Sequence, residues 1–130
     1  MSSDQPLPNI VEIFDSCTEQ WEAKRTTGES PVPEVRGAAC TSINNDLFMY
    51  GGWDGDGYVN SLYQLNTETY HWCKLGHKNE EQYCPIAKRG AAIVPCGHNL
   101  ALYGGYGILY GSPQHESSFI KDPSFTNDGG

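Results

Sequence analysis

The chain has 130 residues, with 16 acidic against 8 basic side chains, a formal charge of −8 at pH 7 with histidine neutral. That balance excludes a protein that grips a nucleic-acid backbone, which needs a basic face. With 38% hydrophobic and 18% charged residues the chain is not charge-rich and disordered, and no apolar run approaches the roughly 20 residues that cross a bilayer.

Fifteen glycines, eight prolines and 12% aromatic residues among so few charges point to short strands joined by tight turns. The first fourteen residues carry no basic stretch and no unbroken apolar core, unlike a secretory leader. Five cysteines, an odd number without a C-x-x-C pair, and no N-x-S/T acceptor fit a reducing, intracellular setting, cytoplasmic or nuclear.

Taken in chain order, residues 10–25 read as two strands. Residues 25–35 are polar and carry Gly28, Pro31 and Pro33, as loops do. Residues 38–43 read as a strand and Asn44, Asn45 and Asp46 as its turn, because Asn and Asp tolerate left-handed backbone and bond their own amides. Residues 47–50 form a compact apolar strand that ends in Gly51 and Gly52, and a loop over 53–60 follows. A third strand covers 62–65, a turn 66–69, and a fourth strand 70–75 carries Trp72. Residues 76–88 are again polar, and no stretch sustains a helical apolar period beyond two turns.

The pattern repeats. Arg36-Gly37-Ala38-Ala39 recurs as Arg89-Gly90-Ala91-Ala92, and Tyr50-Gly51-Gly52-Trp53 as Tyr103-Gly104-Gly105-Tyr106, both displaced by 53 residues. Residues 10–24 align with 61–75 at a displacement of 51, which sets Trp21 on Trp72. A unit of about 50 residues built of four strands is the period of a kelch blade. The series from Arg36-Gly37-Ala38-Ala39-Cys40 through Tyr50-Gly51-Gly52-Trp53-Asp54-Gly55 to Trp72 resembles a kelch repeat. Leu102-Tyr103-Gly104-Gly105-Tyr106-Gly107 followed by a long insertion is similar to the kelch-domain-containing substrate receptors of cullin-2 ubiquitin ligases.

The resemblance implies an all-β fold, an incomplete kelch β-propeller with one full four-stranded blade flanked by two half-blades. Residues 1–25 would supply strands three and four of a blade, 26–35 an inter-blade loop, and 36–76 the complete blade. Residues 77–107 would give a loop and the first half of the next blade, and 108–130 a long disordered loop. Propellers close with 4–8 blades, so this length is expected to be part of a larger ring, and alone to unfold weakly or to associate.

In such a blade the loop after strand two and the loop between blades share one rim, and loops on rigid scaffolds carry function. That rim gathers Trp53, Asp54, Asp56, Tyr58, Tyr106, Tyr110 and His115, with Arg36 and Arg89 where strand one begins. Large aromatics and Arg anchor protein interfaces, so Arg36, Trp53, Asp54, Tyr58, Arg89, Tyr106 and Tyr110 are the candidates for binding a protein or peptide partner. The competing expectation pairs both arginines with carboxylates of neighbouring blades. In the resembled subfamily the propeller face captures C-terminal peptide tails, but its pocket arginines lie in later blades, so none transfers by position.

Gly51, Gly52, Gly104 and Gly105 are expected to serve close backbone approach; no phosphate-loop Lys or helix follows them. Trp21 and Trp72 are expected to pack blade on blade. Asp54-Gly55-Asp56-Gly57 places Tyr58 and Leu65 where a calcium loop needs oxygens, and the His and Cys spacings do not match zinc. Cys40, Cys73 and Cys96 read as buried strand residues. No catalytic motif is present, so the sequence points to a non-enzymatic module without cofactors, possible partners being cullin-RING ligase components through the full-length protein. Two alternatives stand beside it: a scaffold or small-GTPase effector, and a copper oxidase-like kelch enzyme, for which no Tyr, His and Cys constellation is nominated.

Overall fold

The computed structural model describes residues 9–31, 35–76, 83–109 and 112–114. Every regular element among them is a β-strand, and no helix among them is long and apolar enough to cross a membrane.

Strand β1 (Ile10–Asp15) pairs antiparallel with β2 (Gln20–Arg25), with Phe14 opposite Trp21. Asp15 closes the turn: its Oδ1 accepts the amides of Cys17 (2.8 Å) and Thr18 (3.3 Å), and its carbonyl accepts the Glu19 amide (2.6 Å). The side chain takes up amides that would otherwise lack partners, which is why Asx residues begin such turns. Glu19 then turns the chain with a positive φ of 61°.

The full blade consists of β4 (Ala39–Ile43), β5 (Asp46–Tyr50), β6 (Leu62–Asn66) and β7 (His71–Leu75), each antiparallel to the next. Leu65 stands opposite both Leu47 and Trp72, so the register sets these apolar side chains in one row. The turn from β6 to β7 repeats that of the first hairpin. Asn66 Oδ1 accepts the amides of Glu68 (2.7 Å) and Thr69 (3.1 Å), its carbonyl accepts the Tyr70 amide (2.6 Å), and Tyr70 has φ 58°. A shared hydrogen-bond lock at the same repeat position explains why the two hairpins have the same length.

Beyond the full blade, β9 (Ala92–Cys96) and β10 (Asn99–Tyr103) form a second two-stranded half. It packs through β9 against β4. The core lies at this junction, where Ala39, Tyr50 and Leu102 are buried with Leu62, Ala91 and Ile93 against them. The architecture is therefore all-β, a four-stranded blade between two-stranded halves.

Four short strands fall where loops are expected. In the 26–35 segment, β3 (Thr27–Gly28) pairs parallel with β7, making five strands in the order β3-β7-β6-β5-β4. Strand β8 (Lys88–Arg89) pairs with β11 (Tyr106–Leu109), which pairs with β12 (Ser112–Gln114). Strands of two to four residues show little alternation to read, and β3 and β8 pair with strands far away in sequence. Strand β12 and the end of β11 lie in the 108–130 segment, most of which falls outside the described residues.

Candidate functional site

The site is built where the two blades meet. At the start of the full blade, Arg36 and Trp53 exchange both backbone hydrogen bonds, Arg36 amide to Trp53 carbonyl at 3.0 Å and the reverse at 2.9 Å. The same pairing recurs 53 residues later, where Arg89 stands opposite Tyr106. Each Arg-Gly segment is thus tied to the aromatic residue that follows its own double glycine.

The seam between the blades is main chain on main chain. The Gly52 amide donates to the Lys88 carbonyl (2.8 Å), the Lys88 amide to the Val59 carbonyl (3.3 Å), and the Gly90 amide to the Gly37 carbonyl (2.8 Å). This approach requires glycine at position 51, where φ is +74° and a Cβ would run into the Lys88 carbonyl oxygen.

With the backbones fixed, the side chains form a continuous row. Trp53 meets Tyr58 edge-on, with ring centroids 4.9 Å apart at 74°. Tyr58 meets Tyr106 of the next blade at 5.7 Å and 73°. The Arg89 guanidinium carbon lies 5.1 Å from the Tyr106 ring centroid, within cation–π range. Below the row, Asp54 Oδ1 accepts the amides of Asp56 (2.9 Å) and Gly57 (3.0 Å), and these bonds hold its carboxyl below the usual carboxylate range. The result is an aromatic surface about three rings long, ended by an exposed cation and bordered by a fixed anion. It offers stacking and charge-assisted contacts but no nucleophile or paired acid and base.

A family model described as the KLHDC2/KLHL20/DRC7 Kelch-repeats domain matches residues 1–124. The chain belongs to this kelch-repeat family. It is 32% identical over 97 residues to Kelch domain-containing protein 2 of Bos taurus, covering 74% of this chain and 23% of that protein. Kelch domain-containing protein 1 of Homo sapiens is 29% identical over 124 residues, 92% of this chain and 30% of that protein. A protein named as a probable serine/threonine-protein kinase of Dictyostelium discoideum is 31% identical over 100 residues, 76% of this chain and 7% of that protein. The chain thus spans less than a third of the length of these relatives.

Within this kelch framework the predicted rim residues divide clearly. Trp53, Tyr58, Tyr106 and Arg89 come together as one row. Arg36 joins them through its backbone, and its side chain is exposed. Asp54 turns inward to its own loop amides, while Asp56 is exposed. Tyr110 and His115 lie outside the described residues. Among the described residues Lys24 and Glu22 form an ion pair at 3.1 Å, and Arg89 lies over the Tyr106 ring. No group of three metal-ligating side chains occurs among the described residues.

One sequence expectation is overturned. Cys40, Cys73 and Cys96 lie on β4, β7 and β9 but are exposed. Alternation along each strand turns them away from Ala39, Trp72 and Ile93.

Two residues of the kelch seam escape a reading of the sequence. Lys88 is buried, and desolvation pulls its ammonium down to about 8. The repeat could have flagged it, since the corresponding place in the preceding blade is Val35, an apolar residue. The Tyr50 hydroxyl lies 3.0 Å from the Pro85 carbonyl and 2.8 Å from that of Ile86, pinning the inter-blade segment to the core. Burial, with Cys84 and Tyr83 nearby, pushes its phenol above the usual range.

Proposed function

We propose that the row Trp53–Tyr58–Tyr106–Arg89, with Arg36 beside it, is a recognition surface for a protein or peptide, in keeping with the protein-interaction role of kelch repeats. The observation that supports it most is the edge-to-face contact of Tyr58 and Tyr106 across two blades, with Arg89 over the far ring. Rigid aromatics capped by a guanidinium supply large contact area at small entropic cost. The surface has no group placed for bond breaking, and our reading is a non-enzymatic module that acts inside the cell.

In the full-length protein we assign this module to substrate recognition for an intracellular cullin-RING ubiquitin ligase, by analogy with the receptors that the Leu102–Gly107 motif resembles. Affinity purification of the intact gene product tests both levels. Cullin and elongin subunits are expected to co-purify, and their absence from a well-expressed, folded bait overturns the ligase assignment. Tyr58→Ala and Arg89→Ala are expected to weaken capture of the remaining partners by about tenfold or more each. Unchanged capture by both variants would place the recognition surface elsewhere.

A further inference from the structure

The loop that brings Tyr58 to the aromatic row reads Trp53-Asp54-Gly55-Asp56-Gly57-Tyr58 and holds two Asp-Gly peptide bonds in succession. Such bonds cyclise readily, because glycine puts no side chain beside the amide nitrogen. That nitrogen attacks the Cγ of the preceding protonated carboxyl. A C–N bond forms, a C–O bond breaks and water leaves, giving a five-membered imide. Water then adds at one of the two imide carbonyls. Opening at the first returns aspartate, and opening at the second leaves isoaspartate, whose main chain runs through Cβ and Cγ. Water is the only co-reactant.

Crowding does not protect this loop. A Cβ placed on Gly55 or Gly57 meets no atom within 4 Å, and Gly55 and Asp56 are exposed. The structure supplies a hydrogen-bond clasp instead. Asp54 Oδ1 accepts the Asp56 amide at 2.9 Å and the Gly57 amide at 3.0 Å. The Asp54 amide donates to the Gly57 carbonyl at 3.0 Å, and Trp53 pairs with Tyr58 across the loop.

The clasp acts differently on the two bonds. At Asp54–Gly55 it disarms the electrophile. The amides of Asp56 and Gly57 hold the Asp54 carboxyl below its usual range, and an ionised carboxylate resists attack by a nitrogen nucleophile. At Asp56–Gly57 it disarms the nucleophile. The Gly57 N–H is directed at Asp54 Oδ1, and removing its proton there would set two negative charges side by side. Swinging that nitrogen toward the Asp56 Cγ also breaks a hydrogen bond to a charged oxygen.

We propose that Asp56–Gly57 is an isoaspartate-forming site that the Asp54 side chain holds shut while the loop is folded. Conversion adds one carbon to the main chain between Trp53 and Tyr58, whose pairing sets the first ring contact of the row. The modification therefore falls within the surface assigned above to recognition, but its chemistry does not depend on what that surface binds.

The test incubates the full chain, folded, at neutral pH and body temperature, and follows isoaspartate at residue 56 by electron-based fragmentation in a mass spectrometer. Asp54→Ala removes the acceptor and is expected to raise the rate at residue 56 by about tenfold or more, as the loss of hydrogen bonds to a charged group would. In urea, where neither chain keeps the clasp, the two rates are expected to converge. Adding Gly57→Ala to Asp54→Ala is expected to bring the rate back down, since a methyl group then stands beside the attacking nitrogen and the structure has room for it. Equal rates in the folded chains would overturn the proposal. So would a difference that persists in urea, or isoaspartate at residue 56 that Gly57→Ala leaves undiminished. If circular dichroism shows Asp54→Ala unfolded, Asp54→Ser takes its place, with a smaller rise expected and the same overturning results.

Discussion

The β1–β2 and β6–β7 hairpins have nearly the same backbone and opposite environments. Both close on an Asx residue whose side-chain oxygen accepts two amides, both turn on a positive-φ residue four places on, and both set a Trp directly across the pair. Trp72 is nevertheless packed edge-on against Tyr63 at 6.2 Å and buried, whereas Trp21 touches Phe14 at 5.2 Å and stays open to solvent. Local sequence is therefore enough to make the hairpin, and burial comes from the strands added on its free side. In a repeat protein of this kind the conformation is set within the repeat and the stability between repeats.

The sharpest way to break this comparison is to truncate both tryptophans. Trp72→Ala is expected to cost about 3–5 kcal/mol, the usual range for removing a buried aromatic, read by urea denaturation at fixed protein concentration. A loss below about 1 kcal/mol would mean that the full blade is no better packed than the half.

The double glycines give the next contrast. Gly51 and Gly104 share φ +74°, but a Cβ on Gly51 meets the Lys88 carbonyl and one on Gly104 meets nothing. Gly51→Ala combines left-handed strain with a backbone clash and is expected to cost about 2 kcal/mol or more, Gly104→Ala about 1 kcal/mol. Equal losses would show that conformation alone, and not the seam, demands glycine.

Lys88 tests the seam by titration. Its folded pKa, about 8, lies below the ordinary 10.5, so between those values the unfolded chain holds more protons. Stability is then expected to rise as pH increases from about 8 toward 10.5, and the cost of burying the charge to be fully present below 8. The gain is on the order of 1 kcal/mol per pKa unit, measured as the difference between the unaltered chain and Lys88→Met. A flat difference would place the ammonium in water.

The smallest effect is expected at Trp21→Ala, within about 0.5 kcal/mol for monomeric protein, as for surface substitutions generally. A larger loss would show the first hairpin to be packed in solution.

Much of this was legible from residues alone, for identifiable reasons. Alternation and Asx or Gly turns gave β4–β7 within a residue or two of their limits, because each strand is paired with its neighbour in sequence. The rim aromatics could be named from their place after Gly52 and Gly105. That Tyr58 reaches Tyr106 could not, since the contact spans 48 positions and depends on how two blades dock. The parallel addition of Thr27 and Gly28 to β7 was invisible for the same reason. The thiols of Cys40, Cys73 and Cys96 were assigned to the interior by residue type, and the pleat turned them outward.

The hairpin turns use Cys17, Thr18 and Thr69 through their backbone amides, whereas Glu68 Oε2 also accepts from Asn45 Nδ2 at 2.9 Å. Cys17, Thr18, Glu68 and Thr69 donate main-chain hydrogens to Asp15 and Asn66, and their side chains are exposed. Cys17, Thr18 and Thr69 are natural attachment points: a dye or affinity tag placed there would sit on a hairpin turn, outside every strand. Cys17 already supplies a thiol at one of them.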